Sequence, residues 1–329
     1  MNNYLRLRAH LLYVTTRSSF SPVNNHPLLY AAKHNYLDVV QHLIEHGVDI
    51  NTQNLRGSTA LHIASYNGNI QMAMFLLANH AAVDTQNVYS NTALYYAVEQ
   101  SNIEMASLLL SYGANLSFQC HFNMTPFEIA VAKYMGNHDL YLEMIKLLIT
   151  HIVKTEYCSD VDTHLSGFIQ NKRLINESED LKELEQQCHN EIKQMCSISV
   201  GSSCLSFFDI FVLQKDINML ARCANNPDIV LCQNKFSMYS SFIEKSVEKG
   251  KARAKLLQEA SESMDEIFES NQDASQEIQT SWLHLPPEVR LMILENLSNT
   301  DLTKLQHNDT AEAEAEAELE GAYAIYEEE

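Results

Sequence analysis

Cysteine and histidine are the residue types in this sequence best suited to nucleophilic or metal chemistry, and three cysteines in the middle of the chain are evenly spaced. Cys188, Cys196 and Cys204 recur every eight residues. On a helix this interval turns successive side chains around the axis, so they would not converge at the tetrahedral geometry that zinc requires. His189 directly follows Cys188 and would point to another face, which disfavours a cysteine–histidine nucleophile. We predict that these cysteines are small apolar core residues.

Sequence motifs for other enzyme and cofactor sites are also missing. The chain contains no GxxxxGK[ST], GxGxxG, HExxH or GxSxG pattern. We therefore predict that the protein is not an enzyme, with no catalytic residue, no metal ligand and no cofactor.

Composition and charge indicate a folded protein that binds neither nucleic acid nor an anionic membrane surface. Of its 329 residues, 46% are hydrophobic, and 22 basic residues face 42 acidic ones, for a net charge of −20. Phosphate binding depends on lysine and arginine, which are scarce here. No stretch approaches the ~20 apolar residues of a membrane span. The apolar patch at 9–14 is shorter than the roughly 7–15 residues of a secretory signal core. Seven cysteines without a CxxC pair favour a reducing compartment.

A 33-residue repeat organises the first half of the chain. Thr59, Thr92 and Thr125 each open a segment that aligns with the others, beginning TALHIA, TALYYA and TPFEIA. In each unit a threonine would cap a first helix rich in small residues, and a second helix carries a leucine pair. Gly47 and Gly113 would end that second helix in a left-handed conformation. Four stacked units could bury the apolar face that a single unit leaves open. In the fourth unit, extra residues lie between the two helices.

Residues 26–151 resemble ankyrin repeats, because the TALHIA and LLLSYGAN signatures occur at the spacing of that family. We predict four repeats, at 26–58, 59–91, 92–124 and 125–151, preceded by an N-terminal cap at 1–25. The resemblance implies that loop tips and the inner helix face bind another protein. Any one of the exposed side chains could instead pack against a neighbouring loop. The target-binding residues carried over are Arg56, Tyr66, Val88, Tyr89, Tyr96 and Phe122.

The pattern remains helical after the repeat is lost, so we predict a helical domain and linker at 152–280. Apolar residues from Leu181 to Met195 fall on one helix face. Residues 207–224 are strongly apolar and predict a single helix, and a third helical stretch runs to Phe268 with Gly250 as a possible break. The acidic Ala/Glu tail at 309–329 carries nine carboxylates and no lysine or arginine, and we expect a frayed helix or disorder there.

A short amphipathic helix, LPPEVRLMILENL, precedes this tail. Its two prolines mark a helix start, because proline is tolerated in the first turn. Val289, Ile293 and Leu297 recur every fourth residue and predict an apolar stripe, flanked by Met292 and Leu294. Residues 299–300 offer a break and a cap for a second short turn. The stripe needs a partner, which is either the core of the helical domain or another protein.

The LPPE sequence, the apolar helix and the following DL turn, together at 281–308, resemble the first half of an F-box. In that family these residues dock a helical hairpin onto the Skp adaptor of cullin-RING ubiquitin ligases. Ankyrin repeats, a helical middle and a truncated C-terminal F-box are similar to the ankyrin–PRANC proteins of poxviruses and of obligate intracellular bacteria, including the scrub-typhus agent. The ligase-docking residues that the resemblance implies are Leu285, Pro286, Glu288, Val289, Ile293, Leu294, Leu297 and Leu302.

Together these features predict an all-α protein: an ankyrin-repeat solenoid, then a helical domain that ends in a truncated F-box-like hairpin. The resemblance implies an adaptor that holds an unknown host target and docks a host cullin-RING (SCF) ubiquitin ligase, so that the target is ubiquitinated. The alternative is a non-enzymatic scaffold or decoy that sequesters or relocates a host protein, for example in innate immune signalling.

The resemblance also implies secretion into a host cell without a classical signal peptide. The expected location is the host cytoplasm, with the nucleus as the alternative. Ankyrin proteins that travel with Ran tend to have hydrophobic residues just after the first helix of a repeat. Here those positions hold Asn35, Gly68 and Ser101, which counts against nuclear carriage.

Overall fold

The structure is a computed structural model that describes residues 26–120, 122–136, 138–158, 165–200, 205–214, 216–224, 226, 229, 235–270, 287–303 and 305, with the backbone alone for 138–140, 266–270 and 288–289. Several predicted features lie outside this range: the N-terminal cap at 1–25, the linker at 271–280, Leu285, Pro286 and the acidic tail at 309–329. Cys204 also lies outside it.

Helices make up the regular structure of the described residues, apart from one isolated β-bridge between Ser199 and Ser206. This confirms the predicted all-α class. The chain divides into two compact units, residues 1–190 and 191–329. The helices of the first unit are α1 (Pro27–Lys33), α2 (Leu37–Glu45), α3 (Ala60–Asn67), α4 (Ile70–Ala78), α5 (Ala93–Glu99), α6 (Ile103–Ser111), α7 (Pro126–Gly136), α8 (His138–Glu156) and α9 (Ser166–Glu177). Helix α10 (Glu179–Ser197) includes the boundary between the units.

Threonine side chains start three of the first helices, as the repeat predicts. The Oγ1 atoms of Thr59, Thr92 and Thr125 accept hydrogen bonds from the backbone N–H three residues later. In two repeats that third residue returns the bond: His62 Nδ1 accepts from the Thr59 N–H (3.1 Å), and a Glu128 carboxylate oxygen accepts from the Thr125 N–H (2.7 Å). Each such pair satisfies two backbone donors that the first helical turn leaves open.

Left-handed residues end the second helices at the predicted positions. Gly47 has φ +82° and Gly113 has φ +85°, which confirms their capping role. His80 occupies the equivalent position of the second repeat and adopts φ +64°. A side chain with a Cβ atom is disfavoured there, because the Cβ crowds the following carbonyl oxygen. The repeat therefore imposes this conformation even where the sequence lacks glycine.

Small residues on the first helices permit their close packing. The alanines at the equivalent position of all four repeats are fully buried, and the helices that carry them pack against one another in chain order. These residues are Ala31, Ala64, Ala97 and Ala130.

The stacking of helices continues beyond residue 151, where the sequence repeat ends. Helix α9 packs on α7, and its buried Asn171 accepts a hydrogen bond of 2.5 Å from Thr125 Oγ1 and donates to the Leu116 carbonyl oxygen. A Cβ atom at Gly167 would lie 2.1 Å from the Ser117 carbonyl oxygen, so only glycine fits this contact. The first compact unit accordingly includes more than the four predicted repeats. The extra residues of the fourth unit do not form a long loop, because α7 extends to Gly136 and α8 begins at His138.

The second unit contains α11 (Phe207–Phe211), α12 (Ile217–Cys223), α13 (Ser240–Ser270), α14 (Pro287–Glu295) and a final helical turn at 299–303. The predicted single helix over 207–224 is wrong. Asp216 accepts hydrogen bonds from two backbone N–H groups of the next turn and so starts a new helix, α12. The predicted break at Gly250 is also wrong, because α13 is continuous there. A Cβ atom at Gly250 would lie 2.6 Å from the Leu220 carbonyl oxygen, so this glycine allows α12 to approach α13 closely.

Candidate protein-interaction surfaces

The F-box-like helix α14 is anchored in the second unit by a small apolar core. Leu294 is 1% exposed and Leu302 is fully buried, and both belong to one cluster with Leu257 and Ala260 of α13. Leu297 is partly buried against the same cluster. These three leucines of the predicted docking set therefore face inward, and their part in any docking would be to hold the helix in place.

A buried guanidinium fixes the end of α14. Arg253 of α13 is almost fully buried, and its Nη2 donates to the carbonyl oxygens of Glu295 and Leu297 (3.2 and 2.7 Å). Its Nη1 donates to Asn299 Oδ1 (2.7 Å), and its Nε donates to Asn218 Oδ1 (3.3 Å). A positive charge at the C-terminal end of a helix also complements the helix dipole. Burial lowers the pKa of Arg253, and the neighbouring Glu295 carboxylate partly opposes this.

Two further ion pairs hold α14 at its sides. Arg222 donates from Nε and Nη2 to the two carboxylate oxygens of Glu295 (2.9 and 2.6 Å), and this hydrogen-bonded pairing raises the pKa of Arg222. Arg290 pairs with Asp265 of α13 at 2.7 Å. The bidentate geometry of the first pair fixes both position and orientation.

The opposite side of α14 faces outward. Met292 is 59% exposed and Ile293 is 45% exposed. The predicted apolar stripe is therefore divided: Ile293 lies at the surface, whereas Leu297 packs inward. Glu288 and Val289 lie within α14, and the structure describes only the backbone of these two residues.

The final turn begins one residue earlier than predicted. The Ser298 hydroxyl accepts a hydrogen bond from the Asp301 N–H (3.2 Å) and donates to the Asp301 carboxylate (2.6 Å). This exchange is a helix cap, so the predicted cap at 299–300 is wrong. The turn places Leu302 toward the core.

The ankyrin loop tips carry exposed apolar and aromatic side chains. Leu55, Val88, Tyr89 and Phe122 are exposed, the last of these at 76%, and Arg56 is also exposed. These side chains come from three consecutive tips, which repeat every 33 residues. Large exposed aromatic and arginine side chains are the types that dominate binding energy in protein interfaces.

The two predicted tyrosines of the inner helices differ in their surroundings. Tyr66 is exposed, whereas Tyr96 is partly buried. The Tyr96 ring meets Tyr66 edge to face at 5.8 Å between centroids, and its hydroxyl accepts a hydrogen bond from Asn87 Nδ2 (2.8 Å). Tyr96 therefore supports the loop as well as the surface.

The tips are held rigid by hydrogen bonds that the sequence analysis did not identify. Asn54 and Asn87 each close a tip through backbone bonds to Ser58 and Asn91, while their side-chain oxygens accept two further N–H groups. The Val88 N–H donates to the Arg56 carbonyl oxygen at 2.9 Å, which joins adjacent tips. The recurrence of Gln-Asn at a 33-residue interval was the available sequence signal.

The cysteines and the histidine that the sequence singles out lie in different surroundings. Cys188 is buried as predicted, but Cys196 is exposed, so the prediction of a core residue is wrong there. The His189 ring contacts the Tyr157 hydroxyl and the Glu156 carboxylate. Within the described ranges, no group of three or more His, Cys, Asp or Glu residues is placed to hold a metal ion.

Two family models match the chain, one in each compact unit. Residues 28–120 match ankyrin repeats in three copies, and residues 202–307 match the PRANC domain. The chain combines ankyrin repeats with a PRANC domain. The PRANC match includes α11 to α14 and so contains the F-box-like helix. The fourth predicted repeat lies outside the ankyrin match and stays a prediction.

The chain is similar to fowlpox virus (strain NVSL) proteins that are named as ankyrin repeat proteins. It is 28% identical to FPV031 over 321 residues, which covers 84% of this chain and 91% of the relative. It is 30% identical to FPV233 over 290 residues, which covers 86% of this chain and 53% of the relative. Ankyrin and PRANC regions are protein-interaction modules. Among the helices that the structure describes, none has the length and apolar character needed to cross a membrane.

Proposed function

We propose that this ankyrin–PRANC chain is a substrate-recruiting adaptor of a host cullin-RING (SCF) ubiquitin ligase. The ankyrin surface binds a host target, and α14 docks the Skp adaptor of the ligase. The mechanism is tethering: holding the target and the ligase on one chain raises the effective concentration of activated ubiquitin at the target's lysines. No residue of this chain takes part in bond chemistry.

The exposed edge of α14 carries this proposal. Met292 and Ile293 point outward from a helix whose other face is fixed by Leu294 and by the Arg253 hydrogen bonds. A helix that is held rigidly and exposes two large apolar side chains loses little conformational entropy on binding. Leu285, Pro286, Glu288 and Val289 complete the proposed docking set, and Leu294, Leu297 and Leu302 support it from the core.

The ankyrin side of the proposal rests on the exposed tips. The proposed target surface consists of the exposed side chains of Arg56, Tyr66, Val88, Tyr89 and Phe122. Tyr96 packs against Tyr66 and so supports this surface. We propose that this takes place in the host cytoplasm. The poxvirus relatives favour synthesis inside the host cell over secretion into it.

Capture of purified Skp adaptor by the full chain tests the proposal. Met292→Asp and Ile293→Asp place a charge on the exposed edge of α14, so each should reduce capture at least about tenfold. Met74→Asp is a matched control, because Met74 is 51% exposed on α4 of the ankyrin unit. Circular dichroism should show the same helix content for all three variants. Equal capture by wild type and the α14 variants, or no capture by wild type, would contradict ligase docking.

The scaffold or decoy function remains the second candidate, and the core position of Leu294 and Leu302 favours it. A helix that completes the core of its own unit has a structural reason to be present, whether or not it docks another protein. This candidate predicts that the chain binds a host target through the ankyrin tips while wild type fails to capture the Skp adaptor.

A further inference from the structure

An open cleft of about 450 Å³ lies beside the second and third ankyrin loop tips. Side chains of both tips line it, together with the residues that begin α9. The polar members are Gln86, Ser90, Ser117, Gln119, Asn123 and Ser166. Helix α9 follows the last predicted repeat, so the sequence repeat gives no indication of this cleft.

The lining side chains are held in place by hydrogen bonds with one another. Gln119 Nε2 donates to Gln170 Oε1 of α9 (2.5 Å), and Gln119 Oε1 accepts from Ser166 Oγ (3.2 Å). Gln86 Nε2 donates to the Ser90 carbonyl oxygen (3.1 Å). A ligand therefore meets a preorganised set of amides and hydroxyls, which lowers the entropic cost of binding.

Among the residues that the structure describes, those that line the cleft carry no formal charge, although the chain as a whole is strongly acidic. None of its lining residues is Asp, Glu, Lys or Arg, and the tips at 53–58, 86–91 and 119–124 contain no carboxylate. A charged group that entered would lose its hydration without gaining an ionic partner. The described lining therefore favours a neutral ligand.

Amide and hydroxyl side chains offer both hydrogen-bond donors and acceptors, and this combination favours an extended ligand over a helical one. A helix satisfies its own backbone N–H and C=O groups, so it would present only side chains to the cleft. An extended segment has free backbone groups that pair with glutamine, asparagine and serine, while alternate side chains project to either side. Phe118 and the half-exposed Leu165 of the lining supply apolar contacts for those side chains, and Val88 and Phe122 are exposed on the same two tips.

We propose that this cleft binds an extended, uncharged segment of the target protein, with its backbone paired to the amide-lined wall and its apolar side chains on Phe118 and Leu165. The inference rests on the proposed function, because it identifies the part of the target that the ankyrin unit holds. It adds α9 to the binding surface, beyond the predicted repeats.

Selection from a phage library of linear random peptides on the immobilised full chain tests the inference. The selected peptides should lack charged residues in their shared core. A fluorescently labelled copy of one of them should then bind about tenfold more weakly to the Gln86→Glu variant, because a carboxylate replaces an amide donor and places an unpaired charge at the wall. Circular dichroism of the bound peptide should show no helix.

Gln53→Glu is the matched control, because Gln53 occupies the same position of the first tip, away from the cleft. It should leave peptide affinity unchanged. An equal loss in both variants, a helical bound peptide, or no peptide enriched above a surface without the chain would overturn the inference. Capture of the Skp adaptor by the same Gln86→Glu variant should equal that of wild type. If peptide binding fails while adaptor capture is intact, only the proposed peptide-binding role of the cleft is contradicted. If adaptor capture fails while the peptide binds, only ligase docking is contradicted.

Discussion

The two compact units are both helical, but they are stabilised by contacts of different range along the chain. In the ankyrin unit, caps form between residues three apart, as in Thr59 and His62, and the same arrangement recurs every 33 residues. In the C-terminal unit, Arg253 joins residues that lie more than thirty positions away on one side and more than forty on the other. The repeats of the first unit can therefore be predicted from sequence, whereas the C-terminal unit, like the contact of α9 through Asn171, depends on individual long-range contacts.

This difference implies different responses to mutation. Losing one cap in the ankyrin unit removes one of several equivalent local interactions, each within a single repeat. Losing the Arg253 contacts leaves several acceptors of the C-terminal unit without a donor at once. Four predictions test the comparison.

The largest effect is expected for Arg253→Met. This change leaves the Glu295 and Leu297 carbonyl oxygens and the Asn299 side chain without their buried donor. We expect a loss of about 4 kcal/mol in the unfolding free energy of the C-terminal unit, measured by urea denaturation. Arg56→Met removes an exposed arginine from an ankyrin tip and should change stability by less than about 0.5 kcal/mol. A similar small loss in both variants would contradict the long-range account.

A slightly smaller effect is expected for Leu294→Ala in α14. Leu294 is buried against Leu257 and Ala260, so truncation leaves a cavity and should cost about 3 kcal/mol of unfolding free energy. Ile293→Ala, the neighbouring control, should cost less than about 1 kcal/mol because Ile293 is half-exposed. Thermal unfolding of both variants measures this difference. A larger loss for Ile293→Ala than for Leu294→Ala would contradict the orientation of α14, in which Leu294 faces the core and Ile293 faces outward.

Thr125→Ala tests whether the ankyrin stack extends into α9. Thr125 Oγ1 caps α7 and also donates to buried Asn171, whereas Thr92 only caps its own helix. Losing a cap costs about 1 kcal/mol. Thr125→Ala should cost about 2 kcal/mol, because Asn171 is left unsatisfied as well. Equal losses for Thr92→Ala and Thr125→Ala in urea denaturation would mean that α9 adds nothing to the array.

The features of the fold that the sequence predicted are the local and repeated ones. Threonine caps, left-handed glycines and buried alanines depend on neighbours a few residues away, so their residue types indicate them directly. The break between α11 and α12 was missed although Asp216 before an apolar run is a visible cap signal, because the apolar character of 207–224 was given more weight.

The candidate surfaces were only partly predictable for a related reason. An apolar stripe shows that a helix has a buried face, but it cannot show which leucine meets which neighbour. Leu294 and Ile293 are adjacent in sequence, and the position of α13 decides that one is buried and the other is half-exposed. The position of α9 likewise depends on contacts of Asn171 and Gly167, which have no repeat partner in the sequence.

The smallest effect is expected for His80→Gly, and it has the opposite sign. His80 adopts φ +64° at the position where Gly47 and Gly113 end the second helix of their repeats. Glycine removes a backbone strain of about 1–2 kcal/mol, and the greater freedom of glycine in the unfolded chain offsets part of this gain. We expect a net stabilisation of about 0.5–1 kcal/mol, measured by urea denaturation.

Gly113→His is the reciprocal control for this substitution. A Cβ atom at Gly113 would meet no atom within 4 Å, so the added side chain has room and only the φ of +85° opposes it. The loss of stability should therefore be close in size to the gain from His80→Gly. A gain at position 80 without a loss at position 113 would show that the histidine side chain makes contacts of its own, and that the two positions are not equivalent. Paired changes of opposite sign would instead show that the period imposes the backbone conformation independently of the residue that occupies it.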